Sequence, residues 1–320
     1  MRVLACITTF NADDVIDGAL AALMRQTRAL DAILIVDNAS TDGTLRRTFP
    51  EPVRVIRNAA NVGPSGAIPI GFRYALEQGF DWMWILDHDS APEPEALKIL
   101  LDSYAGWPAS QREETGFVSC LPVNPGETLH GRLFTPHGRF LIAPEPEPRC
   151  YPCHVKVWSG CLYRLAAVRR IGFPNADYFI DRGELEYAYR VMKAGYKGYI
   201  HQDSILRHNF HGAPGLDRQR VKLGPFTLTF YELAPLRCYY VCRNTLYFTL
   251  YDLQDGAIAK FRELFRLTSR PGRGALSGVA WQAALLTLNF ALRPRTHRAQ
   301  FRACLRGLLD GVTGNVAARF

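Results

Sequence analysis

Four short apolar runs recur in the first ninety residues, each stopping at a polar cluster, and this alternation limits the possible folds more than any other feature of the chain. VLACITTF, AILIVDN, VRVIRN and DWMWIL carry the β-branched and bulky side chains of buried strands. Between the first two, VIDGALAALMRQT places Ile16, Leu20 and Leu23 on one helical face, with Asp13 and Asp14 positioned to cap its first turn. GFRYALEQG and EPEALKILLDSY read as further helices, the second introduced by Pro92 and Pro94. Strands alternating with helices predict an α/β domain built on a mainly parallel sheet flanked by helices. Such sheets bind their ligands beyond the carboxyl ends of the strands. The clusters TTFN, DNASTDGT, NVGPSG and DHDS fall at those ends.

The 320 residues are 48% hydrophobic, enough for a substantial core, so disorder is excluded as a reading of the whole chain. The apolar segment at the N-terminus is too short for a secretory signal, which places the protein in the cytoplasm. The eight cysteines are scattered and read as buried, reduced thiols. Cys150 and Cys153 in CYPC, with Cys238 and Cys242 as a loose second pair, leave a metal knuckle as the alternative. The net charge of +8 is concentrated near the end of the chain, where residues 257–320 hold eleven Lys or Arg against two acids. An anionic partner is expected for that region. ALSGVAWQAALLTLNFAL, residues 275–292, is interrupted by Gln282, Thr287 and Asn289, so it reads as a helix lying in the headgroup layer of an anionic membrane rather than crossing it. That reading makes the protein peripheral on the inner face of the membrane. No nucleic-acid motif accompanies the basic tail, and no nucleic-acid partner is expected. The change of texture near Phe226 divides the chain into a nucleotide-binding domain, 1–226, and a C-terminal aromatic and basic helical region, 227–320.

Three kinds of nucleotide chemistry suit a parallel sheet. A dinucleotide site needs a glycine-rich turn after the first strand, whereas TTFNADD contains no glycine. The Gly-Lys-Ser/Thr signature of a P-loop is also missing. What remains is a diphosphate handled through a metal. Asp87 and Asp89 flank His88 at the end of the fourth run, and carboxylates this close raise each other's pKa unless a cation lies between them. A hard divalent ion, Mg2+ or Mn2+, resolves that conflict and stabilises charge on a departing diphosphate. The local alternative is that Asp89 or Ser90 caps the helix that follows.

CITTFN, VDNASTDGT, NVGPSGAIPIGF and WILDHDSAPEPEAL, in this order and spacing, resemble the nucleotide-sugar domain of family 2 inverting glycosyltransferases, which have the GT-A fold. The similarity is to the branch of bacterial rhamnosyltransferases and galactofuranosyltransferases. It covers residues 1–212 and continues faintly beyond. It implies that Thr8, Phe10 and Asn11 line the base and ribose pocket, that Asp37 contacts the nucleoside, and that Asn61 and Gly63 close over the donor. Asp87 and Asp89 become metal ligands with His88 between them at the donor, and His208 supplies an imidazole to the same ion. In WSGCLYR the resemblance sets Trp158, Ser159 and Gly160 against the acceptor sugars, with Trp158 as a core aromatic the alternative. It implies a nucleotide-sugar donor, dTDP-rhamnose or a UDP-hexose such as UDP-galactofuranose, and a glycan or lipid-linked acceptor in cell-surface polysaccharide synthesis. The aromatic band APLRCYYVCRNTLYFTLYDL is expected to dock C-terminal helices on the catalytic domain.

Inverting transfer requires a base for the acceptor hydroxyl. In DYFIDRGELEYAYRVMKAGYKGYI, Leu185, Ala188, Tyr189 and Met192 define the buried face of a helix starting near Gly183. Glu184 lies in its first turn, where free amides favour the ionised form, and Asp181 is the alternative base. Glu186 and Arg190 are spaced to brace the helix from outside. Two positions depart from the family pattern: Gly183 stands where an acid is usual, and Glu184 is longer than the customary aspartate. Two other readings remain, a sugar nucleotidyltransferase, whose glycine-rich basic loop is missing, and a non-catalytic adaptor, for which Gly183 speaks.

Overall fold

The computed structural model describes residues 1–123, 133–135, 138–140, 149–153, 157–207, 217–223, 226–252, 283–284, 286–293, 296–317 and 319–320. Within them, β1 (Val3–Thr9), α1 (Ile16–Met24), β2 (Ala32–Asp37), β3 (Val53–Arg57), α2 (Gly63–Glu77), β4 (Trp82–Asp87), β5 (Ala91–Pro92), α3 (Ala96–Gly106), α4 (Ala109–Glu114) and β6 (Thr115–Val123) follow one another. After them come β7 (Leu133–Thr135), β8 (Gly138–Phe140), β9 (Cys150–Pro152), β10 (Cys161–Arg164), α5 (Leu165–Ile171), α6 (Gly183–Lys193) and β11 (Lys197–Arg207). The hairpin β12 (Asp217–Leu223) and β13 (Phe226–Glu232) leads to α7 (Pro235–Tyr247) and finally α8 (Arg298–Val312).

The central sheet has the order β3-β2-β1-β4-β10-β6-β11-β5, with β9 also paired to β11. Its first four strands are parallel, as expected. Beyond β4 the sheet is mixed, because β10 runs antiparallel to both β4 and β6 while β11 is parallel to β6. The sheet is thus mainly parallel, as expected: β3, β2, β1, β4, β6 and β11 run one way, and β10, β9 and β5 run against them.

Burial on both faces explains the continuous apolar runs. Alternate side chains of β1 and β4 enter two separate cores. Val3, Ala5, Ile7, Trp82, Trp84 and Leu86 pack with α1 and α3, whereas Leu4, Cys6, Met83 and Ile85 pack with α2, α5 and α6. Full burial of each Val, Leu, Ile or Met among them contributes about 1.5–3 kcal/mol.

Three helix starts differ from expectation. No side chain caps α1; Asp13 and Asp17 instead pair with Arg47. The helix α2 begins at Gly63, inside the polar cluster NVGPSG and ahead of the expected GFRYALEQG, because Pro64 suits a first helical turn and the Asn61 side chain accepts the Gly63 amide at 2.8 Å. At α3 the duty offered to Asp89 or Ser90 is performed from a distance. The buried Gln26 side chain accepts the Leu97 amide at 3.1 Å and donates to the Glu93 carbonyl at 2.9 Å.

The change of texture at Phe226 falls inside the β12–β13 hairpin, and the helical part starts at Pro235. There α7 and α8 meet backbone to backbone: a Cβ on Gly307 would lie 2.3 Å from the Tyr239 carbonyl oxygen, and one on Gly311 2.6 Å from that of Arg243. Cys238, Cys242 and Cys304 are buried in this seam, while Cys150 packs against the α1/α3 core and Cys153 in a separate cluster beside β11. The two cysteine pairs are thus apart, and among the described residues no group of three or more His, Cys, Asp or Glu is arranged around a metal. None of the described helices is long and apolar enough to cross a membrane. Within 275–292, residues 275–282 and 285 lie outside the described residues.

Replacing Gln26 with leucine removes the partner of a buried amide while keeping the volume. The expected loss is about 1–3 kcal/mol in urea unfolding, with little change in the denaturant slope.

Candidate active site

Register brings the polar clusters together. With β1 between β2 and β4, Thr8 lies beside Asp87 and Thr9 beside Asp37, so TTFN, DNAS and DHDS share the carboxyl edge of the sheet. Asp37 is fully buried and held by the Ser40 amide at 3.1 Å, the Ser40 hydroxyl and Arg57 Nε at 3.6 Å. Ser40 Oγ accepts the Asn11 amide at 2.9 Å, and Asn11 Oδ1 accepts the Thr41 amide at 2.9 Å. Asn11 and Ala39 have left-handed backbones, φ 49° and 61°, which this network sustains. Asp37 therefore shapes the pocket wall from within. Phe10, by contrast, is exposed at the rim.

The acidic turn is braced from behind. The Asp87 amide donates to Ser159 Oγ at 3.2 Å, and that hydroxyl shares a 2.8 Å hydrogen bond with Ser90. The Gly160 amide donates to the Ile85 carbonyl at 2.8 Å, with φ at +84°. His88 Nδ1 sits 3.3 Å from the Thr8 carbonyl oxygen. Ser159 and Gly160 thus contact the acidic turn in this structure. Trp158, expected to face sugars, retains 7% of its surface and packs on Tyr163 and Tyr187, with the Tyr187 ring centroid 5.6 Å away. Its indole fills the space between the sheet and α6, as the core-aromatic alternative had it.

Asp87, His88 and Asp89 are half-buried, and the donor set at this turn is two carboxylates beside an imidazole. Oxygen donors of this kind suit a hard divalent cation, so the residues present fit one. His208 lies outside the described residues.

The helix α6 starts at Gly183 as expected, with Leu185, Tyr189 and Met192 packed toward Tyr178 and Phe248. The half-buried Glu184 has its pKa raised above the ordinary 4.5, first by desolvation and further by neighbouring Asp181, against the lowering pull of the Glu184 and Arg182 amides and the Arg182 charge. The helix N-terminus acts in the expected direction, but burial outweighs it. Asp181 is engaged by Arg237 of α7, at 2.7 and 3.2 Å. Glu186 is buried, so the brace with Arg190 is internal: Glu186 accepts the Asn175 amide at 3.2 Å and Arg190 donates to the Ile171 carbonyl at 3.1 Å. Arg237 was not foreseen, because its partner is 56 residues away.

Residues 5–111 match the model of glycosyl transferase family 2. That segment is therefore similar to glycosyl transferase family 2. Over 206 residues it is 27% identical to the galactofuranosyltransferase GlfT1 of Mycobacterium tuberculosis, covering 60% of this chain and 65% of the relative. Over 231 residues it is 25% identical to the N-acetylglucosaminyl-diphospho-decaprenol L-rhamnosyltransferase of the same organism, covering 63% and 75%. Thus the chain spans just under two thirds of the galactofuranosyltransferase it matches. A mannosyltransferase of Pyrobaculum calidifontis, solved with GDP-Man and Mn2+, shares the fold over 97% of this chain and 87% of its own, with 16% identity and a TM-score of 0.58. The fold is GT-A.

The glycine that replaces a family acid has a steric reason. A Cβ on Gly183 would lie 2.2 Å from Ser65 Oγ and 3.2 Å from Ser65 Cβ, because the start of α2 docks against the start of α6. The Ser65 amide donates to the Phe179 carbonyl at 3.1 Å, and a Cβ on Gly63, whose φ is +69°, would lie 2.3 Å from that same oxygen. Glycine is what lets two helix starts approach this closely. Gly183→Ala is expected to lower stability by about 1–3 kcal/mol through overpacking, and Ser65→Ala in the same chain to recover part of the loss. Thermal unfolding of the two single variants and the double variant measures the coupling.

Proposed function

We propose that the chain is a metal-dependent inverting glycosyltransferase that moves a sugar from a nucleoside diphosphate donor to a hydroxyl of a glycan or lipid-linked acceptor. What supports this reading is the polar edge that register assembles, with Asp87 and Asp89 closing β4 beside Thr8 of β1, together with Glu184 at the start of α6 in surroundings that raise its pKa. Thr8, Phe10, Asn11 and the Asp37 network shape the nucleoside end, and the Asn61–Gly63 turn bounds the donor. Asp87 and Asp89, with His208, would hold Mg2+ or Mn2+. The ion supplies charge neutralisation at the departing diphosphate.

Glu184 takes the proton of the attacking hydroxyl, and a raised pKa brings a carboxylate closer to the basicity this requires. Asp181, paired with Arg237, fixes the segment and is not the base. The sugar leaves the diphosphate as the hydroxyl attacks the opposite face. The similarity to glycosyl transferase family 2 argues against the nucleotidyltransferase alternative.

The relatives act on galactofuranose, or on a decaprenol-linked acceptor, according to their names. A dTDP-rhamnose or UDP-hexose donor, UDP-galactofuranose included, and a lipid-linked acceptor at the cytoplasmic face of the membrane are the corresponding proposals here, as part of cell-surface polysaccharide synthesis. The outward stripe of α8 supports them. Arg298 and Arg302 are followed on the same helical face by exposed Leu305, Leu309 and Val312, a combination suited to anionic headgroups.

Two measurements test the proposal. UDP or dTDP with Mn2+ is expected to raise the melting temperature of the wild type, and this ligand-dependent rise disappears in Asp87→Ala and Asp89→Ala. A rise that survives in both variants removes the metal site.

For Glu184 the pKa is raised on folding, so the folded state binds more protons than the unfolded state between the two pKa values. Stability therefore falls as pH rises through that window. Glu184→Gln is expected to melt above the wild type at pH 7.5, with the gap narrowing toward pH 4, while turnover is lost. In the wild type, kcat/KM declines as pH falls through the raised pKa, above 4.5. Undiminished turnover of Glu184→Gln contradicts the base assignment, whereas wild-type turnover that disappears in this variant eliminates the non-catalytic adaptor.

A further inference from the structure

We propose that Asn244, on α7 and remote from the sheet, is a positioning residue for the base: its side-chain amide gathers three carbonyls of the segment entering α6 and thereby sets the direction of Glu184. The inference rests on the base role proposed for Glu184.

Nδ2 of the buried Asn244 lies 2.8 Å from the Tyr178 carbonyl oxygen, 2.9 Å from that of Ile180 and 2.7 Å from that of Asp181. An amide nitrogen carries two hydrogens, so one of them is shared between two acceptors. Three carbonyls from four consecutive residues reach one nitrogen when the chain curls tightly. The curl is visible in the left-handed backbones of Phe179, Asp181 and Arg182, with φ of 60°, 61° and 70°. None of these is glycine, and such conformations persist where surrounding contacts over-determine them.

The orientation of the amide is itself determined. Arg243 Nε donates to Asn244 Oδ1 at 2.8 Å, and a guanidinium has no acceptor to offer, so the oxygen faces Arg243 and the NH2 group faces the carbonyls. Arg243 adds its own grip, donating to the Asp177 carbonyl at 2.6 Å and that of Tyr178 at 3.3 Å. It is fully buried, with the rings of Tyr239 and Tyr240 at 5.6 and 4.6 Å. Burying a guanidinium is costly unless the lost water is replaced by acceptors. Here backbone carbonyls of the segment are among the replacements.

Two further residues of α7 complete the clasp. Arg237 holds Asp181 through two hydrogen bonds, and Thr245 Oγ1 accepts from Arg182 Nε at 3.2 Å. Residues 177, 178, 180, 181 and 182 are therefore all tied to one helix, and Glu184 follows two positions later. The charged or titratable groups acting on Glu184 are Asp181 and Arg182 from its own segment, Arg237 from α7 and Tyr163 from β10.

The test uses the full chain and three variants beside the wild type. Asn244→Ala removes the amide. Arg237→Gln releases Asp181 from a half-exposed position and is the variant that folds if the first does not. Cys242→Ser disturbs the buried opposite side of α7, near residues 283–287, without touching the clasp. Three quantities are read: backbone hydrogen exchange of peptides within 178–186, release of nucleoside diphosphate from UDP-galactofuranose, UDP-glucose and dTDP-rhamnose with water as acceptor, and affinity for UDP and dTDP with Mn2+.

For Asn244→Ala the expectation is exchange at 178–186 faster by roughly tenfold with β1 to β4 unchanged. Its kcat falls by about 100-fold, while donor KM and nucleotide affinity stay within about threefold of wild type. Arg237→Gln moves the same quantities in the same direction by less. Cys242→Ser lowers the melting temperature and leaves kcat alone.

Unchanged exchange at 178–186 in Asn244→Ala overturns the proposal, as does a rise in KM with kcat preserved, or a loss of kcat in Cys242→Ser as large as in Asn244→Ala. If Asn244→Ala does not fold, unchanged exchange and kcat in Arg237→Gln overturn it. Glu184→Gln separates the two readings: full turnover in that variant removes the base role whatever the exchange data show, whereas lost turnover there with normal behaviour of Asn244→Ala removes the positioning role alone.

Discussion

The parallel pairing of β1 with β2 on one side and β4 on the other is the interaction on which the site depends. It aligns Thr8 with Asp87 and Thr9 with Asp37, so that side chains distant in sequence share one edge. The alternation of β1 and β4 side chains between two cores makes that register hard to shift, since a slip of one residue exchanges the partners of Ile7, Trp84 and Leu86 with those of Cys6 and Ile85. The apolar burial that stabilises the sheet is therefore the same burial that places the polar ends.

Local signals in the sequence were sufficient where the physics is local. The four strands, the buried face of α6 from Leu185 to Met192 and the acidic turn at Asp87–Asp89 all stand where period and polarity put them. The reading fell short where a partner comes from far along the chain. Gln26 serves a helix about seventy residues on, Arg47 takes Asp13 away from α1, and the Gly-Pro richness of NVGPSG conceals a helix start stabilised by Asn61. Trp158 illustrates a different limit, because a large aromatic beside a glycine looks the same in sequence whatever it packs on, and the Tyr163–Tyr187 cluster beneath it is not announced by its neighbours. For Arg243 and Asn244 there was a signal: an Arg-Asn pair within an aromatic helix needs buried acceptors, and the acceptors are backbone carbonyls that no side-chain pattern announces.

Glu184 shows how such a site sets opposing influences against each other. The amides at the start of α6 favour the carboxylate, while burial and Asp181 disfavour it, and burial prevails. The left-handed residues before it are a second local cost, borne by contacts with α7. Both are penalties in the folded state that a purely structural helix start has no reason to retain. They also give the C-terminal region a part in the site, since α7 reaches the segment directly and α8 holds α7 through Gly307 and Gly311.

The contact between Gly183 and Ser65 makes two positions far apart in sequence into one design variable. A side chain at position 183 needs the space that Ser65 Oγ occupies, so a change at the mouth of α6 is accommodated only together with a new rotamer or a new residue at position 65 on α2.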